Sequence, residues 1–310
     1  MSALALRIIA IVGAGAIGYD SGMDDVQIPI RIDYQATYEY DEKVSLSPHV
    51  IRIFPRLNLF VRVLDFTFRC GGGAAIQFRR DLYDNETAYC FFPDDTRAFD
   101  VSLRATLNLT RRNALDFMLD SHGLHLPPSY SDAERIQMEA YLAGATSTPL
   151  PSPLAPAGKR PTVETLMTMT RWMNEQLGYE RRDEGPPLHP SDLLALGKGS
   201  CRDYTALLIE ALRQNGIAAR LVSGFLWKGN AANERIADDD LHAWVEAYLP
   251  GAGWLGLDPT NGTFCDHHAI ASAVGLTPDD IAPISGTYYG QHSIPSRLTT
   301  RLVIEELTTP

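Results

Sequence analysis

The chain has 310 residues, which is long for one compact core and suits two domains. Its formal net charge is −11, and an acidic surface repels phosphate groups, so we expect neither nucleic acid nor an anionic membrane as a partner. The hydrophobic content of 45% and the charged content of 21% are ordinary for a globular protein.

The cysteines are Cys70, Cys90, Cys201 and Cys265, and no CxxC pair occurs among them. This spacing indicates neither a zinc knuckle nor a thioredoxin-type motif, and it is too sparse for a disulfide scaffold. We therefore expect reduced thiols in a cytoplasmic protein. No apolar run reaches about 18 residues, so a membrane-spanning helix is not expected either.

Residues 1–24 are interpreted as an N-terminal extension. Gly13, Gly15 and Gly18 form a GxGxxG pattern like that of dinucleotide-binding proteins. That motif requires a helix opening at its end, whereas no helical apolar period follows Gly18, so we expect no nucleotide cofactor. Arg7 interrupts the apolar stretch where a secretory signal would not carry its charge, although a targeting role stays open.

Residues 25–145 show the alternation of apolar and polar side chains that is typical of β-strands. Strand-like runs end in Gly-, Pro- and Asp-rich breaks, and Gly71-Gly72-Gly73 indicates a turn. The pattern predicts a β-sandwich-like N-terminal domain. The predicted strands lie near residues 27–37, 50–54, 59–68, 89–92 and 100–109.

A short helix and a Pro-rich segment follow the strands. Ser131 and Glu134 have capping-box spacing, which predicts a helix that ends near Leu142. The Pro-rich residues 146–160 are expected to form a semi-rigid linker, with a surface loop on the next domain as an equal alternative.

Residues 161–310 change to a helical period and then return to strands. We predict helices over 161–177, 188–196 and 200–214, followed by strands over 218–227, 241–249 and 254–257. Residues 229–240 are acidic and are expected to form a loop. Helices followed by an antiparallel sheet make this half an α+β domain.

Cys201 stands at the predicted start of the third of these helices. Ser200 as N-cap, with Asp203 three residues later, closes the first turn and places Cys201 at the first helical position. Free backbone N–H groups and the positive end of the helix dipole favour the thiolate there. A small buried cysteine is the alternative, since most free cysteines serve only packing.

His242 and Asp258 are the candidate partners of this thiol. His242 opens a strand in which Leu241, Ala243 and Val245 point to one face and His242 and Trp244 to the other. Asp258 ends the next strand, although Asp-Pro is also a common turn. If the two strands are adjacent and antiparallel, the imidazole of His242 and the carboxylate of Asp258 would form a hydrogen-bonded pair.

The chain resembles the transglutaminase-like superfamily of papain-related thiol enzymes over roughly residues 161–290. The motifs that carry the resemblance are Gly199-Ser200-Cys201-Arg202-Asp203-Tyr204, His242-Ala243-Trp244-Val245-Glu246 and Leu257-Asp258-Pro259-Thr260-Asn261-Gly262. The first half resembles the N-terminal region of bacterial members, with Ser47-Pro48-His49 and Phe54-Pro55-Arg56 as weaker markers.

This resemblance implies a papain-like core with Cys201 as nucleophile at a helix N-terminus against an antiparallel sheet. It also implies His242 as general acid and base and Asp258 as the residue that orients the imidazole. The implied reaction is acyl transfer on an amide, peptide or protein substrate, with hydrolysis preferred, amine transfer as the alternative and a catalytically silent binding module as another. The backbone N–H of Cys201 would be one oxyanion donor, and the second stays unassigned.

The segment Cys265-Asp266-His267-His268 has the residue types of a metal site. Three ligands in such a short run do not easily face one tetrahedral ion, and no second cluster is evident, so we expect no metal. These histidines are instead expected to border the active-site cleft. No cofactor is implied, and the sequence gives no oligomeric state.

Overall fold

In the computed structural model, the residues described are 26–144, 148–182, 185–227, 241–290 and 292–307. The predicted N-terminal extension and its glycine pattern lie outside them, as does the predicted loop at 229–240. The elements below belong to the described ranges alone.

The helices are α1 (Asp132–Leu142), α2 (Thr162–Gln176), α3 (Pro190–Leu196) and α4 (Cys201–Gln214), with a 3-10 turn at Pro278–Ile281. The strands are β1 (Gln27–Leu46), β2 (His49–Ile51), β3 (Val61–Cys70), β4 (Ala75–Arg80), β5 (Glu86–Phe91), β6 (Thr96–Thr110), β7 (His125–Leu126), β8 (Arg160–Pro161), β9 (Gly178–Tyr179), β10 (Lys198–Gly199), β11 (Ala219–Leu226), β12 (Leu241–Leu249), β13 (Gly253–Asp258), β14 (Thr263–Phe264), β15 (Ala269–Gly275), β16 (Ile284–Ser285), β17 (Tyr288–Tyr289) and β18 (Ser296–Glu306). None of the described helices is long and apolar enough to cross a membrane.

The N-terminal half is a sandwich of two antiparallel sheets. One sheet has the order β17-β1-β6-β3 with β18 also paired to β1, and the other has the order β16-β2-β5-β4. Alternate residues of β1, such as Ile30 and Ile32, pack with Ile51 and Ala88 of the second sheet in one buried core. The predicted β-sandwich-like architecture is therefore confirmed.

The last strands of the chain return to this sandwich. β18 pairs along β1 from Ile30–Glu306 to Tyr40–Ser296, and Arg31 donates a 2.6 Å hydrogen bond to Glu305. β16 pairs with β2 and β17 with the end of β1. Residues 161–310, which the sequence assigns to one core, thus also complete the sheets of the first half.

The C-terminal half is a five-stranded antiparallel sheet, in the order β14-β13-β12-β11-β15, with helices packed on it. Leu208 and Leu212 of α4 and Met169 of α2 share a buried core with Val245 and Ala247 of β12. This arrangement confirms the predicted α+β core, in which a helix lies against an antiparallel sheet. It also fixes the position of the N-terminus of α4 relative to β12.

The predicted helix boundaries agree with the structure to within one or two residues. Ser131 and Glu134 form the predicted capping box of α1. Pro161 is the N-cap of α2, one position before the first helical residue. Gly197 ends α3 in the left-handed region, at φ 67°, which a residue with a side chain seldom adopts. The chain can therefore turn directly into β10 and α4.

Candidate active site

Cys201 is the first residue of α4, with Ser200 as the N-cap. The Asp203 carboxylate accepts hydrogen bonds from the Ser200 backbone N–H, at 2.7 Å, and from the Ser200 hydroxyl, at 2.9 Å. Both Ser200 and Asp203 are buried, whereas Cys201 is partly exposed. The helix start is therefore rigid while its thiol remains accessible.

Asp203 also ties a neighbouring segment to the helix start. Its other carboxylate oxygen accepts from the Leu188 backbone N–H at 2.7 Å and from the Arg182 guanidinium at 2.9 Å. Arg202 donates to the carbonyl groups of Arg182 and Gly185 on the same segment. The sequence indicated the capping role of Asp203 and an influence on the thiol as an alternative, but not the contact with Arg182, because nothing in local spacing shows that Arg182 approaches it.

His242 lies at the start of β12, opposite Gly224 of β11. Its Nε2 lies 2.9 Å from Oδ2 of Asp258, and because a carboxylate only accepts, Nε2 carries the proton. The imidazole also forms a hydrogen bond with the Cys201 side chain, for which Nδ1 is the remaining ring nitrogen. The structure thus brings Cys201, His242 and Asp258 into one continuous chain of contacts.

Asp258 is held by the turn that follows it. The backbone N–H groups of Thr260 and Asn261 donate to its Oδ1 at 2.9 and 3.2 Å, and the Asn261 amide donates to Oδ2 at 2.6 Å. Asn174 of α2 donates in turn to the Thr260 carbonyl. This role of Asn261 was not predicted from the sequence, although its place three residues after a strand-ending Asp is a pattern that Asx-type turns share.

The protonation states follow from the burial of this pair. Burial alone would lower the pKa of His242, but the charge and the hydrogen bond of Asp258, with a further contribution from Cys201, outweigh it and raise this pKa. Burial would raise the pKa of Asp258, and the His242 charge together with the hydrogen bonds from His242 and Asn261 lowers it instead. An imidazolium paired with a carboxylate is therefore the stable state at neutral pH.

This raised pKa predicts a pH-dependent contribution to stability. A group whose pKa is raised on folding stabilises the fold fully below its unfolded value of about 6.5, and that stabilisation is lost as pH rises through the folded value. We expect wild-type protein to lose more free energy of unfolding than His242→Gln between about pH 7 and pH 10. Urea denaturation at each pH measures this difference, and parallel losses in the two proteins would contradict the assignment.

Trp244 and Gly224 lie beside the His242 imidazole. The Trp244 ring is buried and lies roughly parallel to His242, with centroids 6.1 Å apart and an interplanar angle of 25°. A Cβ at Gly224 would stand 2.8 Å from the Trp244 ring and 2.1 Å from the Ile270 carbonyl oxygen. Only a glycine leaves room there for both the ring and β15.

Gly224→Ala is therefore expected to lower the free energy of unfolding by about 2–3 kcal/mol, because the new methyl group must displace Trp244 or β15. Urea denaturation measures this loss. Gly158→Ala is the control, since a Cβ there meets nothing within 4 Å and its cost is confined to the left-handed backbone. Equal costs at the two sites would show that the packing at Gly224 is not restrictive.

A cavity of about 550 Å³ lies beside Asp258, at one end of the chain of contacts formed by Cys201, His242 and Asp258. Its walls include Asp258, Trp227, Arg171, Asp266 and His268, whereas Cys201 and His242 are not among the lining residues. The cavity therefore flanks the thiol and imidazole and does not enclose them. His268 lies in this wall, but the wall does not include the thiol, so the expectation that the histidines after Asp258 border the active-site cleft stays a prediction.

The other cysteines occupy different surroundings. Cys70 and Cys90 lie on facing sheets of the sandwich, close enough for a thiol–thiol hydrogen bond that raises the pKa of Cys70. Cys265 packs against Gly256, and burial raises the pKa of its thiol. Of the four cysteines, all of which lie in described ranges, Cys201 alone stands at a helix N-terminus beside an imidazole.

The chain is similar in sequence and in fold to several known proteins. An uncharacterized protein of Mycobacterium tuberculosis is 26% identical over 281 residues, which is 84% of this chain and 87% of that protein. A protein-glutamine gamma-glutamyltransferase of Pseudomonas aeruginosa is 31% identical over 117 residues, which is 34% of this chain and 17% of that protein.

A solved structure of a proposed cysteine protease from Cytophaga hutchinsonii has a TM-score of 0.62 at 19% identity and covers 92% of each chain, which shows a shared fold. Residues 30–108 match the bacterial transglutaminase-like N-terminal region, and residues 154–259 match the transglutaminase-like superfamily core. The core match contains Cys201, His242 and Asp258. The chain therefore belongs to the transglutaminase-like superfamily, with its core preceded by the bacterial N-terminal region.

Proposed function

We propose that the protein hydrolyses amide or peptide bonds through a thioester formed on Cys201. The observation that carries this proposal is the buried His242, which bonds Asp258 through one ring nitrogen and the Cys201 side chain through the other. A thiol at a helix N-terminus beside an imidazolium is stabilised as the thiolate, which is the nucleophilic form.

In the first half-reaction, the Cys201 thiolate attacks the carbonyl carbon of the substrate. The carbonyl π pair moves to oxygen, and the backbone N–H of Cys201 at the start of α4 is placed to donate to that oxyanion. His242 then gives its Nδ1 proton to the leaving nitrogen as the C–N bond breaks. An amine departs, and a thioester joins the acyl group to Cys201.

In the second half-reaction, neutral His242 accepts a proton from water as the oxygen attacks the thioester. The C–S bond breaks, a carboxylic acid leaves, and the thiolate–imidazolium pair is restored. Asp258 keeps the same hydrogen bond to Nε2 throughout, so the ring neither rotates nor changes the nitrogen that faces the thiol. The turn at Thr260 and Asn261 holds the Asp258 carboxylate in the position that this hydrogen bond requires.

Transfer of the acyl group to an amine is the second candidate function. The name of the Pseudomonas aeruginosa relative, protein-glutamine gamma-glutamyltransferase, favours it. The two reactions share every step up to the thioester and differ only in which nucleophile reaches it. Hydrolysis is preferred here because amine transfer requires a site that excludes water from the thioester, whereas Cys201 is partly exposed.

The test is incubation of the full chain with a peptide library, with and without an added primary amine, followed by mass spectrometry. Cys201→Ala is the control. Cleaved peptides or deamidated glutamines that depend on Cys201 support hydrolysis. Products that carry the added amine would instead show that the enzyme transfers the acyl group to amines. If neither product exceeds the Cys201→Ala background, the enzyme proposal fails and the silent binding module is favoured.

A further inference from the structure

A second cluster of polar side chains lies beyond the end of β14. Asp266, His267 and His268 each offer one ligand atom, and these atoms lie within 4.8 Å of one another. A turn at His267–His268 produces this convergence, which their close sequence spacing had argued against. Asp266 and His268 lie in the wall of the cavity beside Asp258, so a small ion can reach the cluster from there.

His267 has the surroundings expected of a metal ligand. Only 7% of its side chain is exposed, and its Nδ1 has no hydrogen-bond partner within the described ranges. A buried ring nitrogen without a partner costs free energy of roughly 1–3 kcal/mol. The ring also hydrogen-bonds the backbone of Arg112, so the nitrogen that remains for a ligand is Nδ1.

The distances around His267 fit two ligands that share one ion. Nδ1 lies 3.9 Å from Oδ2 of Asp266, too far for a hydrogen bond. Ligands of a tetrahedral zinc ion, each about 2 Å from the metal, lie roughly 3.3 Å apart. A small rotation of the two side chains would bring Nδ1 and Oδ2 to that separation. His268 is held next to Asp266, because its Nδ1 donates to Asp266 Oδ1 at 2.8 Å and its ring stacks on Trp227. An ion bound at that nitrogen would replace this hydrogen bond and release its proton to solvent.

The ligand types narrow the class of ion that this cluster can bind. Two imidazoles and one carboxylate suit zinc, cobalt, nickel or copper, whereas calcium and magnesium prefer oxygen ligands.

We propose that Asp266, His267 and His268 bind one divalent transition-metal ion in the wall of the cavity that adjoins Asp258. Three protein ligands leave the fourth coordination position of a tetrahedral ion open. Because Asp266 and His268 line the cavity, a ligand can reach this position from the cavity. An ion there would add positive charge to a wall that holds Asp258 and Asp266. The site is separate from the thiol and imidazole and does not depend on the proposed reaction.

The test is isothermal titration calorimetry of the full chain with zinc chloride. A Cys201→Ala background is used throughout, because the thiolate and His242 could themselves bind zinc. We expect one ion per chain, and a dissociation constant at least tenfold weaker in His267→Ala and Asp266→Asn. His292→Ala is the matched control, since that exposed histidine pairs with Glu42 elsewhere, and its affinity should be unchanged.

A second variant and a second readout guard against a folding defect in His267→Ala. His268→Gln alters a partly exposed ring and keeps an amide that can donate to Asp266, so it should weaken zinc binding to a similar extent while the protein without metal still unfolds cooperatively. Cobalt(II) should give visible d–d absorption that these variants lose. Absence of zinc binding, or equal affinity in His267→Ala, His268→Gln and His292→Ala, would overturn the proposal and leave the cluster a packing feature.

Discussion

His242→Ala is expected to slow amide cleavage by at least about 10³-fold, because the proposed reaction uses His242 to transfer protons in both half-reactions. The same change leaves Asp258 buried without its cationic partner and Cys201 without the imidazole beside it. Initial rates on a peptide identified from the library measure the effect. His125→Ala, at an exposed histidine of β7, should retain wild-type rates.

A purely structural role for His242 predicts a different result. In that case the free energy of unfolding would fall while the rate per folded molecule stayed close to wild type. Urea denaturation of His242→Ala, run beside the kinetic assay, separates the two. A folded variant that keeps more than about a tenth of the wild-type rate would contradict the general acid–base assignment.

Asp203→Ala is expected to lower the free energy of unfolding by about 3 kcal/mol or more, since several buried donors lose their acceptor at once. The fully buried carboxylate accepts from Ser200, Leu188 and Arg182. Its removal takes the acceptor from the backbone N–H groups of Ser200 and Leu188, and it leaves the Arg182 guanidinium with the Pro186 carbonyl but without its carboxylate. Chemical denaturation measures the loss.

The matched control for this change is Asp192→Ala, an acidic residue in the first turn of α3 that is exposed to solvent. Loss of an exposed first-turn carboxylate costs only about 0.3–1 kcal/mol through the helix dipole. Similar costs at positions 192 and 203 would show that the contacts of Asp203 do not stabilise the helix start. Faster or slower alkylation of Cys201 in Asp203→Ala would further show whether that start also controls the thiol.

Local patterns were sufficient to predict the elements that carry the candidate site. The cap formed by Ser200 and Asp203, the period of α4 and the alternation of β12 all lie within short windows of sequence. Tertiary packing stabilises each of these elements in the conformation that its local sequence favours, so the predicted and the observed elements agree. The same holds for β1, whose alternate residues are buried along most of its length.

What the sequence did not predict depends on distant parts of the chain. β18 pairs with β1 across more than 250 residues, and no local pattern encodes that partner. Arg182 reaches Asp203 only after the segment before α3 has folded over the start of α4. The convergence of Asp266, His267 and His268 arises from one turn, whose geometry the sequence argument against a metal site did not anticipate.

The central claim is that the fold activates Cys201 as a nucleophile, and site-resolved alkylation with iodoacetamide at neutral pH tests it most directly. The reference is the same thiol in His242→Ala, because the pKa of Cys70 is itself raised by its hydrogen bond with Cys90. We expect Cys201 to be alkylated at least about ten times faster in the wild-type protein than in His242→Ala, while the rate at Cys70 is the same in both proteins. Equal rates for Cys201 in the two proteins would contradict the claim.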